Sequence, residues 1–232
     1  MKNIYKNSFY NLNKAKRILE KNQILALPTE TVYGLAGNAY SHKSVKRIYS
    51  LKKRPQKNPL IIHYYNLDLL KRDAEYDKNF LKLYKKFSPG PLTYILKKKE
   101  KSKVSKFANA KLKTIAVRFP KNKIIRSLLK KLTFPLAIPS ANISTGVSPT
   151  EPLDVVDEFK NKIKFILNGG KSTIGLESTV INLSGKPTVL RPGAISYIQI
   201  EKILRKKVSN VTKSKFVISP GMHKRHYSPG IP

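Results

Sequence analysis

The sequence predicts an α/β domain, because helical and strand patterns alternate along the chain. Apolar residues recur at helical spacing in four segments, and short apolar runs typical of buried strands lie between them. This interleaving is typical of a sheet packed against helices. The chain has 232 residues, 40% of them hydrophobic, which is enough for one large domain with a real core.

Each predicted helix places its apolar side chains on one face. The predicted helices are 13–22, 43–50, 77–87 and 121–132. Their apolar residues are Ala15, Ile18 and Leu19; Val45, Ile48 and Tyr49; Phe80, Leu81, Tyr84 and Phe87; and Ile124, Ile125, Leu128 and Leu129. The predicted strands are 24–27, 60–64, 92–96, 114–119, 136–138, 164–167, 179–183 and 188–190.

Prolines and glycines mark where these elements end. Pro28 stops the first strand, and residues 88–91, Ser-Pro-Gly-Pro, break the third helix. The lysine-rich segment 99–111 is predicted to be a loose loop. From Asn210 onward the chain is polar and rich in proline and glycine, so we expect a domain over 1–208 and a linker or lid over 209–232.

The charge of the chain favours anionic partners. Lysine and arginine number 47 against 13 acidic residues, a net charge of +34, which favours nucleotides, RNA or anionic lipid. However, the lysines are spread over every predicted helix and loop, and asparagine and isoleucine are abundant, as in AT-rich genomes. We attribute most of the charge to codon bias and keep RNA contact as a secondary hypothesis.

Several classes of site are excluded or unsupported. The absence of cysteine excludes disulfides, thiolate metal sites and a cysteine nucleophile. There is no P-loop, no dinucleotide-binding fingerprint, no HExxH and no GxSxG elbow. No apolar run approaches the roughly 20 residues of a membrane span, and the first residues lack an apolar signal core, so we expect a cytoplasmic protein.

The strongest local signal is the cationic segment 51–60, which leads into Ile61-Ile62-His63. It holds four cations, and Pro55 and Pro59 remove backbone donors and fix φ, so a stiff loop is predicted rather than a helix. Fixed cations beside the end of a strand suit a polyphosphate ligand.

Four further polar segments follow predicted strands: 28–35, 139–146, 175–179 and 191–193. Taken singly, each has a structural explanation as a turn or a helix cap. Together they offer cations, hydroxyls and amides at several strand ends, where open α/β sheets bind ligands.

In these segments the chain resembles the YrdC-like threonylcarbamoyl-adenylate synthases over essentially its whole length. The matching motifs are PTETVYGL at 28–35, KKRPQKNPLIIH at 52–63, SPGPLT at 88–93, AVRFP at 116–120, PSANISTG at 139–146, GLESTV at 175–180 and RPG at 191–193. The segment SPGMHKRHYSP at 219–229 resembles the linker of the longer, two-domain branch. The smaller C-terminal domain of that branch is not in this sequence, and truncation and natural loss both remain open.

The resemblance implies a single YrdC-like domain, with a twisted, mixed, open sheet and flanking helices around a concave basic cavity, and an extended C-terminal linker. It implies that L-threonine, bicarbonate and ATP, with Mg²⁺, give threonylcarbamoyl-adenylate and pyrophosphate. A separate transferase then passes the threonylcarbamoyl group to tRNA, in threonylcarbamoyladenosine (t6A) modification. No Mg²⁺ ligand can be assigned, because Glu30 and Glu177 are the only acids in the site loops.

The resemblance also assigns roles to residues. The catalytic motif comprises Lys52, Arg54, Ser140 and Asn142. The residues expected at ATP are Arg54, Asn58, Thr114, Asn142, Ser148, Arg191 and Tyr227. The residues expected at threonine are Thr31, His63, Arg118, Ser140 and Ser178. Within these sets, Arg118 suits a bidentate clamp on the amino-acid carboxylate.

Two alternatives remain open at this stage. One is a basic RNA-binding module without adenylation activity, with at least a weak tRNA contact. The other is a carbamoyl-adenylate enzyme that uses a different acceptor. Pyrophosphate release that requires ATP, threonine and bicarbonate together would separate both from the synthase.

Overall fold

A computed structural model describes residues 3–210, apart from the side chains of Asn161 and Asn210. Within this range, twelve strands form one open mixed sheet, accompanied by seven α-helices. No helix among these residues is long and apolar enough to cross a membrane. The predicted α/β class with an open sheet is confirmed.

The strands are short and are numbered in chain order. They are β1 (Ile4–Lys6), β2 (Leu25–Leu27), β3 (Gly34–Asn38), β4 (Ile61–His63), β5 (Ala74–Glu75), β6 (Leu92–Lys98), β7 (Thr114–Arg118), β8 (Leu136–Ala137), β9 (Ile166–Asn168), β10 (Thr179–Asn182), β11 (Thr188–Arg191) and β12 (Ser209–Asn210). The helices are α1 (Phe9–Glu20), α2 (His42–Lys52), α3 (Leu67–Leu70), α4 (Lys78–Phe87), α5 (Lys123–Lys130), α6 (Pro152–Phe159) and α7 (Tyr197–Leu204). A 3₁₀ turn spans Lys160–Lys162.

The sheet order brings segments that are distant in sequence side by side. The order is β1-β9-β2-β3-β8-β4-β7-β6-β10-β11-β12, with β5 paired to β6. Strands β4 and β7 run parallel, and β6 and β10 run parallel, while β6 and β7 are antiparallel. In this register His63 lies beside Arg118, and Arg118 lies beside Thr93.

Alternation along the strands separates two faces of the sheet. Leu25 and Leu27 pack with α1 and α5, while Ala26 between them joins the larger core that contains residues of α2, α4, α6 and α7. A third, small apolar patch comprises Ile61, Ile95, Ala116, Val180 and Leu190. Because Ile62 belongs to the larger core, Ile61 and His63 point to the opposite face.

Most predicted elements are confirmed, and the differences have local causes. Residues Leu51 and Lys52, predicted to be loop, are the last residues of α2, and Lys53 ends the helix in the left-handed conformation with φ 49°. The predicted loop 99–111 contains no helix or strand, but Val104 and Ala108 within it are buried in the larger core. Strand β3 has no alternating pattern because two of its five residues are glycine.

Candidate functional site

A cavity lies on the sheet face that carries Ile61 and His63. Four segments from distant parts of the sequence enclose it: the loop before β3, the cationic loop after α2, the segment that follows β8, and the loop before β10. Its lining residues are Thr29, Thr31, Val32, Tyr33, Gly34, Arg54, Leu60, Ile61, His63, Arg118, Ile138, Pro139, Ser140, Glu177, Ser178 and Arg191. Most of the motifs singled out in the sequence therefore meet in one place.

Arg118 forms one buried end of the cavity. Its Nη2 donates to Glu30 Oε1 at 2.7 Å, its Nη1 donates to Thr31 Oγ1 at 2.9 Å, and its Nε donates to the carbonyl oxygen of Gly90 at 3.3 Å. The other oxygen of Glu30 accepts the backbone N–H groups of Lys121 and Asn122. Burial alone would raise the pKa of Glu30, but the charge and hydrogen bond of Arg118 outweigh it and hold the pKa below 4.5.

His63 lies beside Arg118 and is uncharged at neutral pH. Burial, followed by the charge of Arg118, lowers the pKa of His63 to about 3. Its Nδ1 lies 3.3 Å from the carbonyl oxygen of Ile61, which assigns the ring proton to Nδ1. Its Nε2 is buried and has no hydrogen-bond partner among the described residues, so it offers a lone pair in the wall of the cavity.

Hydroxyl groups line the same end of the cavity. Thr31 Oγ1 lies 2.8 Å from Thr29 Oγ1, and Ser178 Oγ lies 2.8 Å from Thr93 Oγ1. Thr29 Oγ1 donates to the carbonyl oxygen of Val32, so Thr31 donates to Thr29 and can only accept from a ligand. Ser178 can donate to a ligand when it accepts from Thr93. This end therefore combines a cation, a neutral imidazole and several hydroxyls in a buried environment.

Toward the cationic loop, Lys52 lies behind the lining residue Ser140 and is 1% exposed. Its Nζ donates to the carbonyl oxygens of Ser140, at 2.6 Å, and of Asn142, and lies 3.4 Å from Asn142 Oδ1. The Asn142 side chain in turn donates to the carbonyl oxygens of Ile143 and Gly146, which fixes the loop. Burial, followed by the charge of Arg54, lowers the pKa of Lys52 to about 7.

Arg54 is held by the loop that the two prolines stiffen. Its Nη2 donates to Asn58 Oδ1 at 2.6 Å and to the carbonyl oxygen of Pro59 at 2.8 Å, and its Nε donates to the carbonyl oxygen of Asn58 at 3.0 Å. Burial lowers the pKa of Arg54 to about 10, which leaves the guanidinium charged at neutral pH. Lys52 and Arg54 donate these hydrogen bonds to uncharged oxygens.

Arg191 is the third cation of this end, and it is paired with an acid. Its Nη1 bonds to Glu177 Oε2, and its Nη2 donates to the carbonyl oxygen of Ser178 at 2.9 Å and to Ser178 Oγ at 3.1 Å. Ser148 Oγ donates to the other Glu177 oxygen at 3.0 Å. Gly193 lets this turn approach the loop before β10, since a Cβ there would lie 2.4 Å from the backbone nitrogen of Thr179.

The structure separates some predicted site residues from the others. Lys52, Asn58, Asn142 and Ser148 do not line the cavity themselves, but each bonds to a neighbour in the site or to a loop that carries one. Thr114 lies at the other end of β7 from Arg118, in a groove lined by lysines that include Lys97 and Lys113. Tyr227 lies outside the described residues.

The site also differs from a simple cluster at the carboxyl ends of strands. His63 and Arg118 end their strands, but Ser178 precedes β10, and Ser140 pairs with Gly34 near the start of β3. Because the sheet is mixed, both ends of its strands contribute, and the cavity extends across the face between them. The sequence motifs contain Glu30 and Glu177, but nothing in the sequence indicates which cation each acid pairs with.

Among the described residues, no group of three or more histidine or acidic side chains could hold a metal ion. A carboxylate that shares Mg²⁺ with substrate phosphates does not need such a group. Glu177, beside the three cations, is the acid whose position fits that arrangement.

Comparison with known proteins gives consistent matches. The model of the Sua5, YciO and YrdC proteins, described as telomere recombination, matches residues 17–193. A threonylcarbamoyl-AMP synthase of Pyrococcus abyssi is 41% identical over 93% of this chain and 64% of its own length. A threonylcarbamoyl-AMP synthase of Bacillus subtilis is 39% identical over 94% of this chain and 64% of its own length.

A solved structure agrees with the sequence comparisons. The crystal structure of P. abyssi Sua5 complexed with L-threonine superposes with a TM-score of 0.91 at 38% identity, covering 98% of this chain and 68% of that one. The chain thus spans about two thirds of the length of these longer relatives.

Proposed function

The chain belongs to the Sua5/YciO/YrdC family, and on that premise we propose that it is an L-threonylcarbamoyladenylate synthase. The observation that carries the proposal is a single cavity that joins an amino-acid-like site at Arg118 to a cationic site at Arg54 and Arg191. The relatives named above carry that activity in their names, and the Sua5 structure holds L-threonine. Because this chain spans only part of their length, the activity and substrates are proposals for it.

Threonine binds at the Arg118 end in this proposal. Three of the five N–H groups of Arg118 are used within the protein, so two remain for the carboxylate of the amino acid. The Nε2 of His63 accepts a hydrogen bond from the amine, because a neutral imidazole with Nδ1 protonated leaves Nε2 as an acceptor. Thr31, Ser140 and Ser178 provide hydroxyls for the remaining polar atoms.

ATP binds at the opposite end and along the sheet face. Its phosphates meet Arg54 and Arg191, supported by Lys52, Asn58, Asn142 and Ser148 behind the lining residues. The base extends toward Thr114 over the apolar patch, since Thr114, Ala116 and Arg118 alternate on one face of β7 and Ala116 belongs to that patch. This explains why Thr114 lies apart from the other candidates.

The chemistry needs alignment and charge neutralisation more than a protein nucleophile. The amine of threonine attacks bicarbonate, and water leaves to give a carbamate. A carbamate oxygen then attacks the α-phosphorus of ATP, and pyrophosphate leaves. Both reactants are anionic, so the cations that hold them reduce repulsion and keep them in line, an effect worth on the order of 7–11 kcal/mol for well-oriented reactants.

Mg²⁺ accompanies ATP in this proposal. A bound Mg²⁺ would neutralise charge on the phosphates, and Glu177 is the residue whose position fits a shared carboxylate ligand. The chain's own contribution is to hold Arg54 and Arg191 in place through the bonds described above.

The remaining parts of the proposal concern partners. A separate transferase would take up the product for the t6A modification of tRNA, and the reaction would take place in the cytoplasm, where ATP and tRNA are available. A weak direct tRNA contact is favoured by the lysine-lined groove near Thr114, where Lys97, Lys98 and Lys113 lie together. That groove is also the observation that favours the second candidate, an RNA-binding module.

The deciding experiment measures pyrophosphate release with ATP, threonine and bicarbonate, and with each omitted in turn. We expect release only when all three are present. Release without threonine would indicate a carbamoyl-adenylate enzyme with another acceptor. No release, together with salt-dependent RNA binding, would establish the RNA-binding module instead.

The segment 219–229 is proposed to act as a lid, with Tyr227 at ATP. A lid would protect the adenylate from water. Deleting residues 219–232 should therefore raise adenylate hydrolysis or abolish its synthesis, as measured by the ratio of adenylate to pyrophosphate. An unchanged ratio at an unchanged rate would contradict the lid.

A further inference from the structure

Glu177 is bonded to two of the side chains proposed to contact ATP, Arg191 and Ser148. One carboxylate oxygen bonds to Arg191 Nη1, and the other accepts from Ser148 Oγ at 3.0 Å. The pair with Arg191 is largely buried, since the two side chains are 9% and 12% exposed. A buried carboxylate that bridges an arginine and a serine makes contacts that phosphate oxygens could make instead.

The other cations of the site also lie within the field of Glu177. Its negative charge raises the pKa of both Lys52 and Arg54, against the opposite effect of burial, and the charge of Arg191 acts on Arg54. Arg54 and Arg191 line the cavity together with Glu177, and Lys52, behind the lining, lies within the field of Glu177 and of Glu158. In the free protein, the Glu177 carboxylate lowers the repulsion among the three cations.

We propose that Glu177 is a resident anion of the triphosphate site, which ATP must displace from Arg191 and Ser148. The inference rests on the proposed function, because it takes these two residues as ATP contacts. Phosphate oxygens and the Glu177 carboxylate compete for the same donors, and like charges held together repel each other. ATP without a metal ion therefore binds weakly, and Mg²⁺ improves binding by neutralising the charges that meet there.

This arrangement gives Glu177 a role in specificity. A site of three uncompensated cations would accept many cellular anions, whereas a resident carboxylate rejects those that cannot displace it. A triphosphate with several contacts and a bound metal ion can displace Glu177. A single phosphate or a carboxylate ligand gains too little binding free energy to do so. Glu177 thereby reserves Arg191 for the correct ligand.

The test compares wild-type protein with Glu177→Gln, which keeps the shape and the acceptor for Ser148 but removes the charge. Calorimetry measures the affinity for ATP in EDTA and in excess Mg²⁺. We expect Glu177→Gln to bind metal-free ATP at least about tenfold more tightly than wild type. We also expect the gain in affinity on adding Mg²⁺ to be smaller in the variant.

Glu30→Gln is the matched control, because Glu30 is also a buried acid paired with an arginine of the cavity. It should leave the affinity for metal-free ATP within about twofold of wild type. Unchanged metal-free affinity in Glu177→Gln, or an equal gain in both variants, would overturn the proposal. Thermal unfolding of each variant checks that the comparison is made between folded proteins.

A crystal structure of the wild-type protein with ATP and Mg²⁺ gives a direct second test. We expect Arg191 and Ser148 to contact phosphate, with the Glu177–Arg191 bond broken. An intact bond in the presence of bound ATP would overturn the proposal.

Inorganic tripolyphosphate separates this inference from the proposed function. It carries the same phosphate chain without nucleoside, so the same gain in Glu177→Gln is expected for it. If the protein releases no pyrophosphate, the synthase proposal fails while the tripolyphosphate comparison still decides the role of Glu177. If release is normal but the variant shows no gain, only the inference about Glu177 fails.

Discussion

The two ends of the cavity differ in how far carboxylates neutralise their cations. At the proposed threonine end, Arg118 is matched one-to-one by Glu30, and the neighbouring His63 is neutral. At the proposed nucleotide end, Arg191 is paired with Glu177, while Lys52 and Arg54 donate to carbonyl and amide oxygens. One end is electrically balanced, and the other has an excess of positive charge.

This difference corresponds to the charges of the proposed substrates. Threonine is a zwitterion with no net charge, so a balanced site that orients it through hydrogen bonds is sufficient. ATP carries several negative charges, so burying its phosphates is favourable only against cations that the protein has not already neutralised. The uneven use of carboxylates therefore gives each end its selectivity, and four experiments test it.

The largest effect is expected from Arg54→Ala. This change removes a cation whose hydrogen bonds go to oxygens of Asn58 and Pro59, so its loss leaves phosphate charge uncompensated. We expect pyrophosphate release to fall by on the order of 10²–10³-fold. The control is Lys57→Ala, an exposed cation of the same loop, which should retain activity. Near-normal turnover of a folded Arg54→Ala protein would remove Arg54 from the mechanism.

The Arg118–Glu30 pair gives the next largest effect and separates substrate binding from stability. Arg118→Ala should destabilise the protein by about 3–5 kcal/mol, because it leaves Glu30 buried without its cation. The double variant Arg118→Met with Glu30→Gln removes both charges and should recover most of that stability.

The same double variant tests the carboxylate clamp. We expect its KM for threonine to rise at least about tenfold while its ATP affinity stays near that of wild type. An unchanged KM for threonine would refute the clamp, and an equal loss of ATP affinity would mean that the two ends are not distinct.

The lowered pKa of Lys52 predicts how the affinity for ATP depends on pH. Its pKa is lowered to about 7 in the free protein, so it is mostly neutral at pH 8, and bound phosphates favour its charged form. ATP binding should then take up protons near pH 8, and affinity should weaken by up to about tenfold per pH unit above 7.

Calorimetry in two buffers of different ionisation enthalpy measures this proton uptake. Lys52→Met should abolish the proton uptake on ATP binding. Threonine binds away from Lys52, so its binding should show no proton uptake by Lys52. ATP binding at pH 8 without proton uptake would contradict the assignment.

The last effect is that of His63 on stability in acid. Its pKa is about 3 when folded and near 6.5 when unfolded, so below pH 6.5 the unfolded chain binds a proton that the folded protein does not. Stability from this group is therefore fully present above pH 6.5 and decreases as the pH falls toward 3, by up to about 1.4 kcal/mol per pH unit.

Urea unfolding between pH 4 and 7 measures that decrease. His63→Gln should show a shallower slope than wild type, whereas the exposed His42→Gln should keep the wild-type slope. Equal slopes in all three proteins would show that His63 is not the neutral, buried group described here.

The sequence by itself determined the α/β class, the main helices and strands, and the residue types of the site. Apolar spacing predicted α4 and α5 because such patterns are local, and the motif residues Arg54, Ser140 and Arg118 were identified through resemblance to a known family. Strand β3 was missed because its two glycines interrupt the alternation of apolar residues. Helix α7 was missed although Ser196 and Gln199 form a capping box and Ile200, Ile203 and Leu204 recur at helical spacing.

Only the tertiary structure decided which charges meet. Glu30 and Arg118 are 88 residues apart in sequence, and Lys52 and Asn142 are 90 apart, so no local pattern could pair them. The mixed sheet brings these segments onto one face, and the resulting burial makes His63 neutral and lowers the pKa of Lys52. The sequence supplied the cations and acids of the site, but burial and register decided which cations were neutralised and which remained for an anionic ligand.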